Sequence, residues 1–586
     1  MCKRFNLRIA NGRTPGDSLG NYTCYTHNGA SVVDLIIADS DFFTQIKKLY
    51  ILPPEFMSAH TPLSVSINCT PKMTQKKCDK LNDPPPKLIW DSSKNEELLE
   101  IFKSDEVNSQ LDDLQLCLSG SHVIPKSIDE TVQNFCNILV TNASKCLKLV
   151  KTKKSPPSPA KTKPKGKSWY DSSCYAVKKR LRIFAKLLAK QPTNPHTRGH
   201  FIQAKKEYRR MLKSKKRDFE RSAINNLLKL SSNPKDFWAY TKKLRSMDSN
   251  TITNSIAVSP GIWVDHFTSV NKRDPSSLHP NDPYIVHVLK ELIDISKQQH
   301  PKCKVLDKPF TIKEILGAIK RLKLHKASGI DIVSNDLIKA TADIISPLLC
   351  SLFNSILSTE YFPKQWCIGM IIPLYKSGEF DDPNNYRGIS INSCISKLFT
   401  LILNDRFTEY LNVNNTIYYN QIGFRKGYRP ADHVFTLKTL VDQAFHAKKD
   451  LYVCFVDFRK AYDTVWRDGL FYKLLKQNIS PKFVNILKSM YSSLKSCVQV
   501  PAGFSTFFPS LVGLKQGCNL SPMLFNFFIN DFAENLDPIL CDAPSLHNLG
   551  VNCLLYADDM VLISESKEGL QKSLDMLYTF TQSWFL

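Results

Sequence analysis

Two adjacent aspartates near the C-terminal end of the chain carry the clearest chemical signal. Asp558 and Asp559 lie in LLYADDMVLIS, where two apolar runs of strand-forming residues flank a tight corner, and this pattern predicts a β-hairpin. Two carboxylates about 4 Å apart repel each other by roughly 4 kcal/mol at an effective dielectric of about 20. Solvent, a raised pKa or a divalent cation has to offset that repulsion. Aspartate is also a favoured turn residue, so the hairpin by itself favours an ordinary solvated turn.

A third aspartate and a glycine-containing loop change that balance. LYVCFVDFRKAYDTV places Asp457 after six apolar or aromatic residues, inside a predicted buried strand, where an unpaired carboxylate needs a cation or hydrogen bonds. SLVGLKQGCNLSPMLF predicts a loop that leads into a helix, with Gln516 and Gly517 where the backbone can approach a ligand. Two strands that bring these carboxylates together could hold two divalent ions for an in-line phosphoryl displacement. Mg²⁺ suits carboxylate and phosphate oxygens.

A basic hairpin predicted upstream offers ligands for phosphate. WCIGMIIPLYKSGEFDDPNNYRGISI predicts a strand from Gly369 to Tyr375, a polar turn and a second strand after Arg387. Lys376 and Arg387 are the candidate phosphate ligands, and the guanidinium is suited to bidentate contact. For Lys376 a solvated loop position is an equally good interpretation. Asp463, beyond the strand that carries Asp457, is a candidate N-cap or structural acceptor.

The charge of the chain indicates a polyanionic partner. Its 586 residues predict two to four domains, and the net charge of +25 favours nucleic acid first and an acidic membrane surface second. Residues 151–225 hold 23 Lys and Arg against four Asp and Glu. Residues 151–167 are a low-complexity, proline-rich tether or nuclear-localisation patch, and basic helices follow. The candidate nucleic-acid ligands on those helices are Lys205, Lys206, Arg209, Arg210, Lys215, Lys216 and Arg217.

Cysteine usage and hydropathy bear on the location of the protein. The 17 cysteines are scattered, and no two have C-x-x-C spacing, so the pattern excludes a disulfide framework and a zinc site of that type. No uninterrupted apolar run approaches the roughly 18–20 residues that span a bilayer, and the N-terminus has no apolar signal-peptide core. The sequence therefore predicts an intracellular protein of the nucleus or cytoplasm without a membrane partner.

Residues 1–70 alternate turn signals with short strand-like runs. Asp34 lies in SVVDLIIA and His60 in FMSAHTPLSVSI, so the two could form a hydrolytic pair or could be surface turn residues. The segment resembles the C-terminal part of the apurinic-endonuclease-like domain of LINE-type non-LTR retrotransposons, and both residues match positions of that active site. Ala59 stands where the family has aspartate, and the larger part of that domain, with its metal-binding glutamate, is absent. We therefore expect a remnant without nuclease activity.

From about Thr311 to Leu586 the chain resembles the reverse transcriptase of non-LTR retrotransposons. The motifs that carry the resemblance follow one another in the family's order: KASGID, IIPLYKSGEFDDPNNYRGIS, NQIGFRKG, FVDFRKAYDTV, GLKQGCNLSP and YADD. The resemblance implies that Asp457, Asp558 and the Phe458 backbone bind two Mg²⁺ ions, with Mn²⁺ as a substitute, and that Asp559 supports them. It places Tyr462 beneath the incoming sugar, Gln516 and Gly517 against the nucleotide, and Arg387 and Lys376 on the triphosphate.

The resemblance also implies the fold and the partners. We expect an α+β right-hand polymerase with fingers and an antiparallel palm sheet backed by helices, preceded by a basic helical linker and a remnant of an α/β endonuclease sandwich. The substrates would be dNTPs, an RNA template and a DNA primer. The expected segments are 1–70 (endonuclease remnant), 71–150 (helical linker), 151–230 (basic helices), 231–310 (connector), 311–355 (fingers extension) and 356–586 (fingers and palm).

Two functions remain open at this point. The first is an RNA-directed DNA polymerase that uses two-metal nucleotidyl transfer. The second is an inactive relic or a repurposed nucleic-acid-binding protein, because the family's further palm strand, primer grip and thumb would follow Leu586. Without a thumb, we expect the chain to hold the primer–template duplex poorly.

Overall fold

The computed structural model describes most of the chain. Described are residues 6–26, 29–53, 60–68, 82–83, 85–119, 123–150, 169–191, 194–230, 236–238, 240–241, 244, 258–271, 275–298, 303–500 and 503–586. The predicted tether at residues 151–167 and Ala59 lie outside the described residues.

The described chain mixes helices with short strands, and its paired strands are antiparallel except for β9 with β12, as is typical of an α+β fold. The strands are β1 (Leu7–Ile9), β2 (Cys24–Tyr25), β3 (Ala30–Ser31), β4 (Ile37–Asp39), β5 (Ile46–Ile51), β6 (Leu63–Ile67), β7 (Lys87–Ile89), β8 (Lys148–Val150), β9 (Ile368–Tyr375), β10 (Tyr386–Ile391), β11 (Tyr452–Asp457), β12 (Lys495–Val500), β13 (Gly503–Phe504), β14 (Phe508–Pro509), β15 (Ser545–Leu546), β16 (Leu549–Gly550), β17 (Cys553–Tyr556) and β18 (Asp559–Ser564).

The helices are of very different lengths. They are α1 (Ser40–Phe43), α2 (Asn95–Phe102), α3 (Asp105–Cys117), α4 (Pro125–Cys146), α5 (Ser172–Lys190), α6 (Pro195–Leu230), α7 (Pro260–Asn271), α8 (Pro275–Leu278), α9 (Pro283–Lys297), α10 (Ile312–Arg321), α11 (Asn335–Ala340), α12 (Ala342–Thr359), α13 (Cys394–Val413), α14 (Pro430–Ala447), α15 (Ala461–Thr464), α16 (Arg467–Lys476), α17 (Pro481–Ser492), α18 (Ser521–Asn535) and α19 (Lys567–Trp584).

The chain divides into two compact units. The first comprises residues 1–78 and 159–254, and the second comprises residues 79–158 and 255–586. In the first unit, two-stranded antiparallel pairs (β1 with β4, β2 with β3, β5 with β6) surround a small core that includes Leu49. Helices α5 and α6 of the same unit bury a separate seam between them, which includes Leu188, Phe201 and Tyr208. The remaining faces of these two helices are strongly basic.

A three-stranded antiparallel sheet in the second unit carries the aspartates. Its strand order is β11-β18-β17, so the central strand β18 is paired on both sides. One face packs into the main core, where Leu555 and Leu562 lie among residues of α16 and α18. On the other face, Leu554 and Ile563 pack against Leu440 of α14. The sheet is therefore anchored on both faces, and only its ends are available for chemistry.

A second, larger sheet contains the two strands of the predicted basic hairpin, β9 and β10. Its order is β10-β9-β12-β13, and β14 also pairs with β12. The β9–β10 pair is antiparallel with Arg387 opposite Leu374, whereas β9 and β12 run parallel. Helix α7 covers this sheet with Trp263, which is fully buried beside Val498.

The main core of the second unit is continuous over most of its helices. It joins α2–α4 of residues 79–158 to α9–α13 and α16–α19, through side chains such as Phe102, Phe135, Phe353 and Trp466. Residues 85–150, to which the sequence assigned no chemistry, therefore support the same body as the sheets. Among the described helices, α12 alone is long and apolar enough to cross a bilayer, but half of it is buried here. Buried core helices meet the same criteria, so this is weak support for a membrane span.

One buried ion pair joins α10 to α13 inside this core. The Arg406 guanidinium donates to both carboxylate oxygens of Glu314 at 2.8 Å and lies over the Phe310 ring at 4.0 Å. Burial raises the pKa of Glu314, but the hydrogen bonds and charge of Arg406 outweigh it, so the net pKa is lowered. The pair's stabilisation is therefore complete above the ordinary glutamate pKa and is lost as pH falls through the lower folded-state value.

We predict that Glu314→Gln destabilises the protein by about 3 kcal/mol at pH 7, because it leaves the buried Arg406 charge without its counter-ion. Urea denaturation would measure the change in the free energy of unfolding. Glu409→Gln, at an exposed position of α13, is the control and should change stability by less than about 0.5 kcal/mol. Equal effects of the two variants would contradict the assignment of Glu314 as the essential partner.

Candidate active site

The predicted hairpin is present, and its turn is short. β17 and β18 are antiparallel with Tyr556 opposite Asp559, so Ala557 and Asp558 alone form the connection. Ala557 has a φ of +59°, in the left-handed region that side chains disfavour. Asp457 is the last residue of β11 and lies opposite Asp559 in the β11–β18 register. Three carboxylates therefore meet at one end of the sheet.

The carboxylates affect one another electrostatically. The pKa of Asp558 is raised, first by burial and then by the negative charges of Asp559 and Asp457, while a backbone hydrogen bond and Arg387 oppose the rise. Among the described residues, no set of three or more Asp, Glu, His or Cys side chains is placed to hold an ion by itself. Mg²⁺ commonly keeps water and substrate phosphate in its coordination shell, so a site with few carboxylates fits that type of ion.

A cavity of about 500 Å³ opens beside the turn. Asp457 and Asp558 line it, whereas Asp559 lies at the exposed end of β18 outside its wall. The cavity is also lined by Phe458, whose backbone was predicted to bind metal, and by four of the five predicted nucleotide-binding residues, namely Tyr462, Gln516, Arg387 and Lys376. Arg459 and Lys460 add positive charge to the same wall. The space thus joins carboxylates at one place to several cations, as a metal-bound polyphosphate would require.

Tyr462 lines this cavity, and the surroundings of its hydroxyl are unusual. Its ring packs on Phe525 with 4.9 Å between ring centroids, and its hydroxyl oxygen is buried with no hydrogen-bond partner among the described residues. Burial raises the pKa of Tyr462, and the negative charge of Asp558 raises it further. A buried polar group without a partner is unfavourable, so a hydrogen bond to this hydroxyl would stabilise the site.

The Gln516–Gly517 loop is held against two neighbouring elements. The Gln516 side-chain amide donates to Asp463 at 2.9 Å, and Asn392, just after β10, donates to the Gln516 carbonyl at 2.9 Å. Asp463 is thus the structural acceptor that the sequence allowed for, rather than an N-cap, since it lies within α15. Burial raises the pKa of Asp463, and the Gln516 hydrogen bond opposes that rise.

Gly517 allows the loop to pack against β10, whereas the sequence suggested that it allows the backbone to approach a ligand. It has a φ of +74°, and a Cβ at this position would lie 2.6 Å from the Ser390 carbonyl oxygen. Gly517 does not line the cavity. Its missing side chain therefore permits close contact with β10, and only Gln516 of the pair faces the ligand space.

Other residues of the site were not identified from the sequence. His266 and Phe267 of α7 line the cavity, although the sequence assigned residues 231–310 only to a connector. Phe267 lies so close to Gly388 of β10 that a Cβ on the glycine would be 2.8 Å from the ring. Gln421, within the NQIGFRKG motif, contacts the backbone of Ala557. Each of these contacts joins segments far apart in the chain, which local patterns do not reveal.

Comparison with known proteins agrees with this geometry. Residues 375–586 match the family described as Reverse transcriptase (RNA-dependent DNA polymerase). The chain is 32% identical over 290 residues to a probable RNA-directed DNA polymerase from transposon BS of Drosophila melanogaster. The aligned residues make up 48% of this chain and 31% of that relative. The chain is 28% identical over 281 residues to the RNA-directed DNA polymerase from mobile element jockey of the same species, covering 47% and 30%.

Residues 375–586 therefore match a reverse transcriptase domain like those that transposable elements encode. A protein of transposon TX1 from Xenopus laevis is also similar, at 23% identity over 385 residues, which is 64% of this chain and 29% of that protein. The chain thus aligns with less than a third of the length of each of these relatives. Reverse transcriptases generally use divalent metal ions, and the carboxylates of the hairpin and of β11 lie within the matched residues.

The first unit contains the predicted hydrolytic pair, Asp34 and His60, and the predicted nucleic-acid ligands. His60 Nδ1 lies 2.7 Å from one Asp34 carboxylate oxygen and 3.0 Å from the other, so the structure brings this pair together. The hydrogen bond to His60 is the main cause that lowers the pKa of Asp34.

The predicted nucleic-acid ligands lie on α6. Lys215 forms an ion pair with Asp171 at 2.7 Å, and Lys216 forms one with Glu220 at 3.6 Å. Lys205, Lys206 and Arg209 line a cavity of about 240 Å³, and Arg210 and Arg217 are exposed.

We predict that Gly517→Ala destabilises the protein by about 1–3 kcal/mol more than Gly427→Ala. Both glycines have positive φ, but nothing lies within 4 Å of a Cβ built at Gly427, whereas one at Gly517 meets a backbone carbonyl. Comparing the two variants therefore isolates the steric contact with β10 from backbone strain. Thermal unfolding would measure the difference, and equal losses would show that the contact is unimportant.

Proposed function

We propose that this chain acts as an RNA-directed DNA polymerase, transferring dNTPs onto a DNA primer 3′-hydroxyl. The observation that carries the proposal is the meeting of Asp457 and Asp558 in one cavity with Arg387, Lys376 and the Tyr462 hydroxyl. The relatives named as RNA-directed DNA polymerases support the same reaction. β11, β17 and β18 would form the palm, and the β9–β10 hairpin would belong to the fingers.

Each wall of the cavity has a proposed role. Asp457, Asp558 and the Phe458 backbone would hold two Mg²⁺ ions, with Mn²⁺ as a substitute. When bound, such ions stabilise the attacking and leaving oxygens of an in-line phosphoryl displacement. Asp559 lies opposite Asp457 and adds negative charge without lining the cavity, so it would support the site from outside.

The cationic wall would bind the triphosphate. Arg387 lies on β10, and its charge lowers the pKa values of Tyr462, Asp463 and Asp558 against the larger effect of burial, so it is electrostatically coupled to the whole cavity. Lys376 follows β9 on the same hairpin. A triphosphate bound between them would receive charge-assisted hydrogen bonds.

The neutral groups would position the sugar and base. The Tyr462 ring is held by Phe525, so it would form a rigid floor beneath the sugar and disfavour a 2′-hydroxyl by contact. Gln516 is held from one side by Asp463 and from the other by Asn392, which would fix it against the nucleotide and template pair.

We predict that Asp558→Ala lowers dNTP incorporation on a primed RNA template by more than about a hundredfold, because metal ligation is worth several kcal/mol in the transition state. The assay would use the full chain with Mg²⁺ and would compare dNTPs with rNTPs. Asp575→Ala, at an exposed position of α19, is the matched control and should retain activity. Incorporation that survives in the Asp558 variant would contradict the proposed metal site. Absence of incorporation by the wild-type chain, with RNA binding retained, would favour a nucleic-acid-binding role without polymerase activity.

For the first unit, we propose that α6 binds the phosphate backbone of RNA or DNA without sequence preference. Lys206 and Arg210 are exposed on adjacent turns of this helix, and a regular basic face releases counterions when it binds a polyanion. We propose no nuclease activity for the hydrogen-bonded Asp34–His60 pair. A ribonucleoprotein in the nucleus or cytoplasm is the location that this partner implies.

We predict that the double variant Lys206→Gln and Arg210→Gln weakens RNA binding uniformly across sequences. It should reduce the slope of log K against log salt by about one to two, because up to two phosphate contacts are lost. Lys94→Gln with Lys126→Gln is the charge-matched control, since these lysines form ion pairs with Glu97 and Glu130 outside the basic helices. Fluorescence anisotropy at several salt concentrations would measure both, and an equal change in the control would indicate an effect of net charge alone.

A further inference from the structure

The segment Asn420–Gly423 runs along the outer edge of the three-stranded sheet that carries the aspartates. Gln421 pairs in parallel with Leu555 of β17, which is an edge strand in the order β11-β18-β17. The Ile422 amide donates to the Leu555 carbonyl at 3.0 Å, and the Leu555 amide donates to the Asn420 carbonyl at 3.0 Å. The segment therefore behaves as a short additional strand, beside the strand that leads into the aspartate turn.

The Gln421 side chain reaches past this pairing to the turn. It is completely buried, its Oε1 accepts from the Ala557 amide at 3.0 Å, and its Nε2 donates to the Ala557 carbonyl at 3.3 Å. The same Oε1 accepts from the Gly423 amide at 3.0 Å. One side-chain amide thus satisfies both backbone polar groups of Ala557, in the manner of a strand partner.

The turn needs such a partner because of its backbone conformation. Ala557 has a φ of +59°, which is disfavoured for a residue with a Cβ, and strained conformations persist where the surroundings determine them. A rotation that relieved this strain would redirect the next residue, Asp558. Buried polar groups that lose their hydrogen bonds are unfavourable, so the Gln421 amide opposes that rotation.

Neighbouring residues hold the Asn420–Gly423 segment, and with it the Gln421 side chain, in place. A Cβ at Gly423 would lie 2.3 Å from the Ala557 nitrogen, so only glycine permits this approach. Asn526 of α18 donates to the Gly423 carbonyl at 2.6 Å. The His433 Nε2 of α14 lies 2.9 Å from the Asn420 carbonyl and 3.0 Å from the Leu555 carbonyl.

We propose that Gln421 is a positioning residue of the metal site: it holds Ala557 in its left-handed conformation and so directs the Asp558 carboxylate into the cavity beside Asp457. The proposal rests on the proposed function, in which Asp558 binds a catalytic metal ion. It assigns a role to Gln421 of the NQIGFRKG motif. The residues of this motif do not line the cavity. Gln421 touches no substrate and acts only through the turn.

The test measures binding of Mn²⁺ alone to the full chain by electron paramagnetic resonance, with Asp558→Ala defining the site. Gln421→Met keeps the volume of the side chain but makes neither hydrogen bond. It should weaken Mn²⁺ binding by about tenfold, the lower end of the usual effect of supporting residues on metal affinity. Asn552→Leu is the matched control, since Asn552 is also fully buried beside β17 but donates to the Leu536 carbonyl and accepts from the Tyr418 hydroxyl, without contacting Ala557.

A rescue experiment separates positioning from general stability. Glycine adopts positive φ without the Cβ penalty, so Ala557→Gly combined with Gln421→Met should recover part of the lost affinity while the lost hydrogen bonds still lower the unfolding temperature. Gln421→Asn, whose shorter amide cannot reach Ala557, replaces Gln421→Met if that variant does not fold. It should weaken Mn²⁺ binding in the same direction.

The outcomes distinguish this proposal from the proposed function. Unchanged Mn²⁺ affinity in Gln421→Met, or an equal loss in Asn552→Leu, would overturn the positioning role. Mn²⁺ binding that depends on both Asp558 and Gln421, in a chain that incorporates no dNTP, would support the positioning role and count against the polymerase activity. A wild-type chain that binds no Mn²⁺ through Asp558 would overturn the positioning role together with the metal site.

Discussion

Three carboxylates meet at one end of a short sheet and repel one another. Apolar packing in the second unit holds the sheet together against that repulsion. Asp558 has a raised pKa because it is partly buried beside two other negative charges. A hairpin under such repulsion would open if it depended on its own hydrogen bonds, since isolated hairpins are marginally stable. Here apolar side chains anchor both faces of the sheet, to the main core on one side and to α14 on the other. Burial of the sheet thus holds the charged end together.

The same constraint explains why the cavity walls come from so many parts of the chain. Like charges on neighbouring positions of one element destabilise it, so charged groups that face one cavity are better supplied by several elements. The β9–β10 hairpin and the segment after β11 contribute cations, the end of β11 and the β17–β18 turn contribute the carboxylates, and the Gln516 loop contributes a neutral contact. Glycine at Gly517 and at Gly423 permits the close backbone approaches that bring these pieces together.

The two units differ in how their positive charge is arranged. In the first unit many of the basic residues lie on α5 and α6, which bury an apolar seam between them. In the second unit, cations that lie deep in the body have defined partners, as Arg406 has in Glu314. Under the proposed function, the first arrangement would bind phosphate without sequence preference and the second would preorganise a cavity.

The sequence by itself predicted the chemistry that this chain could perform. Carboxylates in apolar strands, the order of the motifs and the basic stretch identified the domain, the hairpin and several of the cavity residues, because these features have local patterns with a physical cause. Tertiary structure alone decided which groups meet. It placed Gly517 against β10 rather than the ligand space, Asp559 outside the cavity, His266 and Phe267 within it, and Gln421 on the turn. These contacts join residues up to 136 positions apart, and no local periodicity encodes such a pairing.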